Sequence, residues 1–379
     1  MRIVQEDVAL GVNAKRQVTD TTIWDTWQDF CLSLHADPTL HQADDPVTLL
    51  QLFAHRYRRG EISPSRSAVK GKTVGDALRA VGQTIANMGY QDPRLLPSGK
   101  LNFRLSRQLS SYNKRDPPPS RVKPIPIQVL HTACRTLRLA THPRSTAIAD
   151  MITLGFYFLL RPGEYAASEN PDSTPFRLQD VHLRYNHARI DHLHGPVELL
   201  HFANFVCLEF SNQKNGVRGE LIGLGRSGNN TFCPVQAVIS RVIHLRQHFA
   251  PPNTPLYTFF SHQWMKIPTS ALTKELRIAI AALGHTVGLS QGDISVRSLR
   301  ASGAMALLCA KVDPDRIRLL GRWRSDEMLR YLHVQAYPVV ADLAPAMLQQ
   351  GAFTLLPNQP PQPRILLAIG GNMGPVGNH

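Results

Sequence analysis

The stretch Ser295–Ala336, SVRSLRASGAMALLCAKVDPDRIRLLGRWRSDEMLRYLHVQA, decides how the rest of the chain reads. Its periodicity predicts three short helices in succession. The first, Leu299–Lys311, is rich in small and apolar residues and has Arg300 near its start. The second, Pro314–Leu320, runs into the turn Leu320–Trp323 (LGRW), and the third, Asp326–Leu332, carries Tyr331 directly after Arg330. Arginines at two successive element ends, followed by a tyrosine on a helix, place guanidinium forks and a hydroxyl in one segment.

Upstream, two further motifs carry matching chemistry. The apolar run Met151–Leu160 predicts a buried helix, too short to span a bilayer, and leads into LLRPGEY, with Arg161 and, three residues on, Glu164. Between that motif and Arg300 lies a β-like region, predicted as strands Val181–Tyr185, Ala188–Leu193, Phe205–Phe210 and Glu220–Leu224. Asn186-His187 and Asn215-Gly216 are its turn signals, and Lys214 sits at the second turn.

In these motifs the chain resembles the tyrosine recombinases, or phage-type integrases. It is most similar to those of eukaryotic mobile elements, which use GRW-x-S-D-x-x-x-R-Y. The family pattern is an L-R-x-x-E-L arginine, a lysine on a β-hairpin, an H-x-L-R helix, a G-V-D turn, an L-G-H or L-G-R-W turn and a nucleophilic tyrosine. Here LLRPGEY, Lys214, RSLR at 297–300, KVD at 311–313, LLGRW at 319–323 and Tyr331 follow in that order over about 124–340. The resemblance implies a mainly α fold with a small antiparallel β-sheet (α+β): a helical core-binding, SAM-like domain plus a tyrosine-recombinase catalytic domain. It implies Arg161, Arg300, Lys214 and Tyr331 as catalytic residues, with Arg297 and Arg322 at the family's histidine positions and Trp323 and Glu164 in support.

The chemistry is coherent without the family name. In-line attack on a phosphodiester builds negative charge on the non-bridging oxygens, which arginine forks neutralise by bidentate hydrogen bonds. A tyrosine hydroxyl, with a pKa of about 10, is the weak nucleophile. A lysine can protonate the leaving 5′-oxygen, and the 3′-phosphotyrosyl link conserves the bond for rejoining. No metal or nucleotide cofactor is needed. Lys266 and Lys274 are the other candidate lysines in this region. Two residues depart from the pattern. Arg297 replaces the usual histidine and cannot take a proton. Arg322, nine residues before Tyr331, stands where histidine or tryptophan is usual, with Trp323 next to it.

The remainder of the chain supplies the setting. Helices are predicted from near Thr21–Thr22, over Pro46–Arg56, over Val74–Met88 up to Gly89 and around Leu101–Leu109, forming a domain over 1–112. The segment 113–126, with Pro117, Pro118, Pro119, Pro124 and Pro126, reads as a stiff linker. The catalytic domain spans 127–350, with helices over Ile127–Ala140, Ser145–Leu160, Pro234–Phe249 and Ser270–Ala282. The Pro-, Gly- and Asn-rich tail 351–379 reads as disordered, and the apolar patch Val339–Leu348 suits docking on a neighbouring protomer or on its own domain.

Of 379 residues, 42 are Lys or Arg and 28 Asp or Glu, a formal net charge of +14 that suits a polyanion such as nucleic acid. In the first domain, Arg56, Arg58, Arg59, Arg66, Lys70 and Lys72 are the expected contacts to DNA phosphates. Five scattered cysteines with no CxxC pair fit reduced thiols rather than disulfides or zinc. His192 and His194 lack ligand-spaced partners and read as surface histidines. With no secretory signal at residue 1 and no spanning segment, the sequence reads as intracellular, nuclear if eukaryotic, with no membrane role. The expected partner is double-stranded DNA, engaged as a homo-oligomer, a tetramer on paired sites. A strand-transfer-deficient DNA-binding protein of the same fold and a type IB topoisomerase are the competing readings.

Overall fold

A computed structural model of the chain describes residues 14–117, 122–168, 174–211, 219–323 and 345. They form two compact units, Met1–Arg121 and Val122–His379. The expected helix Asp326–Leu332, Lys214, Tyr331, the patch Val339–Leu348 except for residue 345, and the tail 351–379 lie outside the described residues.

The first unit is built from α1 (Ala14–Leu32), α2 (Pro46–Arg58), α3 (Gly71–Asn87) and α4 (Phe103–Arg115). Helix α1 begins well before Thr21, because no breaker interrupts Ala14–Asp20, and α4 continues past residue 112, stopping at Asp116, whose amide donates to the Tyr112 carbonyl. The start of α2 is set by Asp45, whose carboxylate accepts from the Thr48 amide, with Pro46 in the first turn. Trp27, Phe30, Phe53 and Tyr57 fill the core, with Trp27 and Phe53 edge to face at 5.1 Å. The Trp27 indole N–H, buried with its ring, donates to the Pro38 carbonyl at 2.9 Å.

The second unit is mainly helical and carries a small antiparallel sheet. Its helices are α5 (Ile127–Leu139), α6 (Pro143–Tyr157), α7 (Pro162–Tyr165), α8 (Val197–Leu200), α9 (Pro234–Gln247), α10 (Thr269–Val287), α11 (Ser298–Cys309) and α12 (Pro314–Gly321). The sheet runs in the order β2 (Ala188–Ile190), β1 (Val181–Tyr185), β3 (Phe205–Phe210), β4 (Glu220–Gly225), all antiparallel. Its register puts Val181 opposite Leu208 and Leu208 opposite Ile222, so one face is buried with a period of two. A second hairpin, β5 (Thr258–Phe260) and β6 (Trp264–Lys266), was not expected from the sequence, since three-residue strands leave almost no periodic signal.

Helix α6 runs through the centre and is buried along Ala147–Phe156. Its buried charge, Asp150, is held by Arg138 and Ser240, each at 2.8 Å, which satisfies a group that would otherwise be costly to bury. Part of the expected linker belongs to this unit. Ile125 is buried, its amide donates to Ser302 Oγ at 2.7 Å, and Lys123 pairs with Asp293 at 2.9 Å. His192 is not a surface residue: it is buried, its Nε2 lies 2.9 Å from the Leu178 carbonyl, and burial depresses its pKa. Among the described residues no helix is long and apolar enough to cross a membrane.

Candidate active site

The site is built where three separate elements end. Helix α6 stops at Tyr157, and two residues on Leu159, with a φ of 50°, turns the chain through the left-handed region and directs its carbonyl back towards α11 and α12. A leucine there costs roughly 1 kcal/mol, so surrounding contacts must hold it. Helix α11 packs closely on this end because Gly303 has no side chain: a Cβ there would lie 2.2 Å from the Phe156 carbonyl oxygen. The Tyr165 hydroxyl donates to the Val296 carbonyl at 2.9 Å and pins the start of α11 beside α7. Arg300, one turn before Gly303, therefore meets Leu159. It is only 5% exposed. Its Nη1 donates to the Leu159 carbonyl at 2.7 Å and its Nη2 to the Gly321 carbonyl.

The third end is that of α12. Arg322 adopts φ 57° and ψ 39°; its amide bonds the Leu319 carbonyl and the Trp323 amide the Arg318 carbonyl, each at 3.0 Å. This is a Schellman stop with arginine where glycine is usual. Gly321 serves a different purpose: Trp323 folds back so closely that a Cβ at 321 would overlap its ring. From there the Trp323 ring covers the Arg300 guanidinium at 4.4 Å.

Glu164 joins the parts. Its Oε2 accepts from the Arg161 amide at 2.7 Å and from Arg322 Nη2 at 3.0 Å, and its Oε1 from Arg161 Nη1 at 3.1 Å. Arg322 Nη2 also lies 3.4 Å from the Leu159 carbonyl, the same oxygen that Arg300 uses. The Arg322 guanidinium is stacked 3.8 Å over the Phe210 ring. Burial pulls its pKa down to about 10, opposed by Glu164, so it remains charged at neutral pH. Its Nε and Nη1 are buried and have no hydrogen-bond partner among the described residues.

The residues expected from the sequence are thus distributed as follows. Arg161, Arg300, Arg322, Glu164 and Trp323 come together. Arg161 is the outermost of the three arginines, with 30% of its side chain exposed. Arg297 starts α11 one turn before Arg300 and is exposed; its guanidinium makes no hydrogen bond or ion pair with the described residues. Lys266 and Lys274 are exposed, on β6 and α10. Lys214 falls in the connection from β3 to β4 and Tyr331 eight residues beyond Trp323, both outside the described residues. Sequence reasoning missed Phe210 and the Leu159 carbonyl. Phe210 reads as an ordinary core strand residue, and no residue type marks a carbonyl that serves two arginines.

In the first unit the expected basic cluster is largely paired. Glu61 binds Arg56 at 3.1 Å and Arg59 at 2.9 Å, and its carbonyl accepts from Arg66 at 2.8 Å. Arg58 pairs with Asp116 at 2.8 Å and stacks on Tyr112 at 4.6 Å. Lys70 and Lys72 are exposed.

No family model and no curated protein matches the chain. Solved structures similar to it include a transposon integrase and two recombinases. The Tn1549 transposon integrase in complex with circular intermediate DNA is 13% identical over 82% of this chain and 87% of that one, with a TM-score of 0.47. The XerH site-specific recombinase bound to its difH substrate is 13% identical over 79% and 69%, with a TM-score of 0.45. The XerA recombinase is 12% identical over 93% and 98%, with a TM-score of 0.35.

Proposed function

We propose that the chain is a DNA strand-transferase, a site-specific recombinase or integrase that cuts and rejoins double-stranded DNA through a 3′-phosphotyrosyl intermediate. The observation that supports it is the convergence of Arg161, Arg300 and Arg322, from three elements, on the Leu159 carbonyl and Glu164. Concentrated guanidinium charge in a partly dry setting suits the dianionic transition state of phosphoryl transfer. In this reading Arg161 and Arg297, which reach solvent, meet the scissile phosphate first, and the buried Arg300 and Arg322 supply a fixed positive field behind them. Tyr331 attacks phosphorus, and Lys214 protonates the departing 5′-oxygen.

Chain length permits both assignments. Lys214 is four residues from Phe210, roughly 14 Å of extended chain, and Tyr331 is eight from Trp323, roughly 28 Å. The wider reading comprises an origin in a eukaryotic mobile element, action in the nucleus, a helical DNA-binding domain over 1–112 and a tetramer on paired sites. A DNA-binding protein of this architecture without strand transfer is the second reading. It is favoured by Arg300, both of whose terminal nitrogens are committed to backbone carbonyls.

The deciding experiment uses nicked suicide DNA, from a library of ends, with the whole chain. A covalent protein–DNA adduct is expected, and Tyr331→Phe should abolish it. Folded wild-type protein that gives no adduct across the library would leave only the second reading standing.

A further inference from the structure

Glu164 is held both by its main chain and by its carboxylate. Its carbonyl accepts from the Phe176 amide at 3.1 Å. Its carboxylate accepts from the Arg161 amide at 2.7 Å, from Arg161 Nη1 at 3.1 Å and from Arg322 Nη2 at 3.0 Å. Aromatic rings join the two holds. Phe176 stands edge-on to Phe210 at 4.7 Å, and the face of Phe210 lies 3.8 Å from the Arg322 guanidinium. Phe176 and Phe210 are buried, and the side chains of Glu164 and Arg322 are 11% and 1% exposed.

A glutamate side chain turns about several bonds, and holding it in one rotamer costs conformational entropy. Two of its three donors belong to Arg161, whose side chain is 30% exposed and cannot anchor the group that anchors it. The third donor is placed independently. The main chain of Arg322 sits in the left-handed turn that ends α12, and its guanidinium rests on the Phe210 ring, where attraction to the ring quadrupole is strongest with water excluded. Arginine suits this seat because its flat fork can lie on a ring and still give one nitrogen to a carboxylate. A residue that grips a phosphate must present donors to solvent, whereas Arg322 turns Nη2 to Glu164 and keeps Nε and Nη1 buried.

We infer that Arg322 is a positioning residue which, seated on Phe210, holds the Glu164 carboxylate so that this one group fixes both the main chain and the guanidinium of Arg161. Arg322 acts on a bound phosphate through Arg161 and does not touch it. A guanidinium whose direction is set in advance loses no reorganisation energy when charge develops on the phosphate, which is the condition for electrostatic stabilisation of a transition state. The phosphate part rests on the strand-transfer reading above; the hold on Arg161 does not.

Two measurements on the whole chain test this. The first follows hydrogen exchange at the Arg161 amide in free protein. Arg322→Met, which removes the donor and the charge, should quicken it by about tenfold, and Arg322→Lys should restore most of the protection. Exchange at the Ala167 amide, which bonds the Ile267 carbonyl at 2.8 Å, should stay unchanged and serves as the control for overall stability. With Glu164→Gln already in place, Arg322→Met should quicken the Arg161 amide little further. Unchanged exchange in Arg322→Met, or an equal quickening with Gln at 164, overturns the hold through Glu164. If Arg322→Met does not fold, Phe210→Leu, which removes only the seat, takes its place; a smaller quickening is then expected, and none overturns the proposal. The second measurement is adduct formation on nicked DNA at saturation. Arg161→Ala with Arg322→Met should be no slower than Arg161→Ala alone. A further tenfold loss in the double variant would mean that Arg322 meets the phosphate itself and overturns its positioning role. Wild-type protein that forms no adduct counts against strand transfer, while the exchange result still decides the hold on Arg161.

Discussion

Two groups of arginines in this molecule behave in opposite ways. Arg56, Arg58, Arg59 and Arg66 are close in sequence and look like a ready-made phosphate-binding surface. Folding gives Arg56 and Arg59 the Glu61 carboxylate, Arg58 the Asp116 carboxylate and Arg66 the Glu61 carbonyl, most of them at an exposed surface. Arg161, Arg300 and Arg322 are far apart in sequence, and folding gathers them round a single carboxylate and a shared carbonyl, with Arg300 and Arg322 buried. The groups differ in burial and in how far along the chain their partners lie.

The contrast can be broken experimentally. The largest effect is expected for Arg300→Ala, which strips two backbone carbonyls of a buried charged donor and should destabilise by about 4 kcal/mol in denaturant titration. A cost near zero would mean that Arg300 is not anchored as described. Next, a double-mutant cycle with Glu164→Gln and Arg322→Met should give a coupling of about 2 kcal/mol, because the pair is almost fully shielded from water. The same cycle on Arg59 and Glu61, both well exposed, should give under about 0.5 kcal/mol.

Acid distinguishes buried from surface groups in another way. His244 accepts the Phe260 amide at 2.9 Å, and burial, with Arg241 and His248 nearby, lowers its pKa to about 4 from the ordinary 6.5. The unfolded chain then binds the proton more readily than the folded one, so stability falls as pH drops from 6.5 towards 4. His244→Gln should flatten that part of the stability profile, and an unchanged slope would dismiss the imidazole as its source. The smallest effect concerns DNA affinity. If Lys70 and Lys72 contact phosphates, each alanine variant should lower the slope of log K against log salt by about 0.9, whereas the paired Arg56 and Arg59 should lower it by less. Equal slopes for all four would erase the distinction between paired and unpaired cations.

Much of the fold was legible because apolar spacing is a local signal. The strands Val181–Tyr185 and Phe205–Phe210 lie where alternation places them. Helix ends were less legible: α1 starts before Thr21 and α4 runs past residue 112, since end positions depend on capping and packing as well as on periodicity. In the site, the order of Arg161, Glu164, Arg300 and Arg322 along the chain was visible, but their roles were not. Gly321 before Arg322 suggests that glycine takes the left-handed turn, yet the structure gives that conformation to Arg322 and uses Gly321 to admit the Trp323 ring.

By itself the sequence determined which side chains with phosphate chemistry exist, in what order, and on helices or strands of what period, because these depend on residue type and near neighbours. Only the tertiary structure decided which arginines are neutralised and which are concentrated, that Leu159 turns its carbonyl to two of them, and that Phe210 lies under Arg322. The meetings of Arg300 and Arg322 with Leu159 and of Arg322 with Phe210 bring groups more than a hundred residues apart within 4 Å, and no local propensity encodes them, whereas Glu61 is a near neighbour of the Arg56 and Arg59 it pairs with.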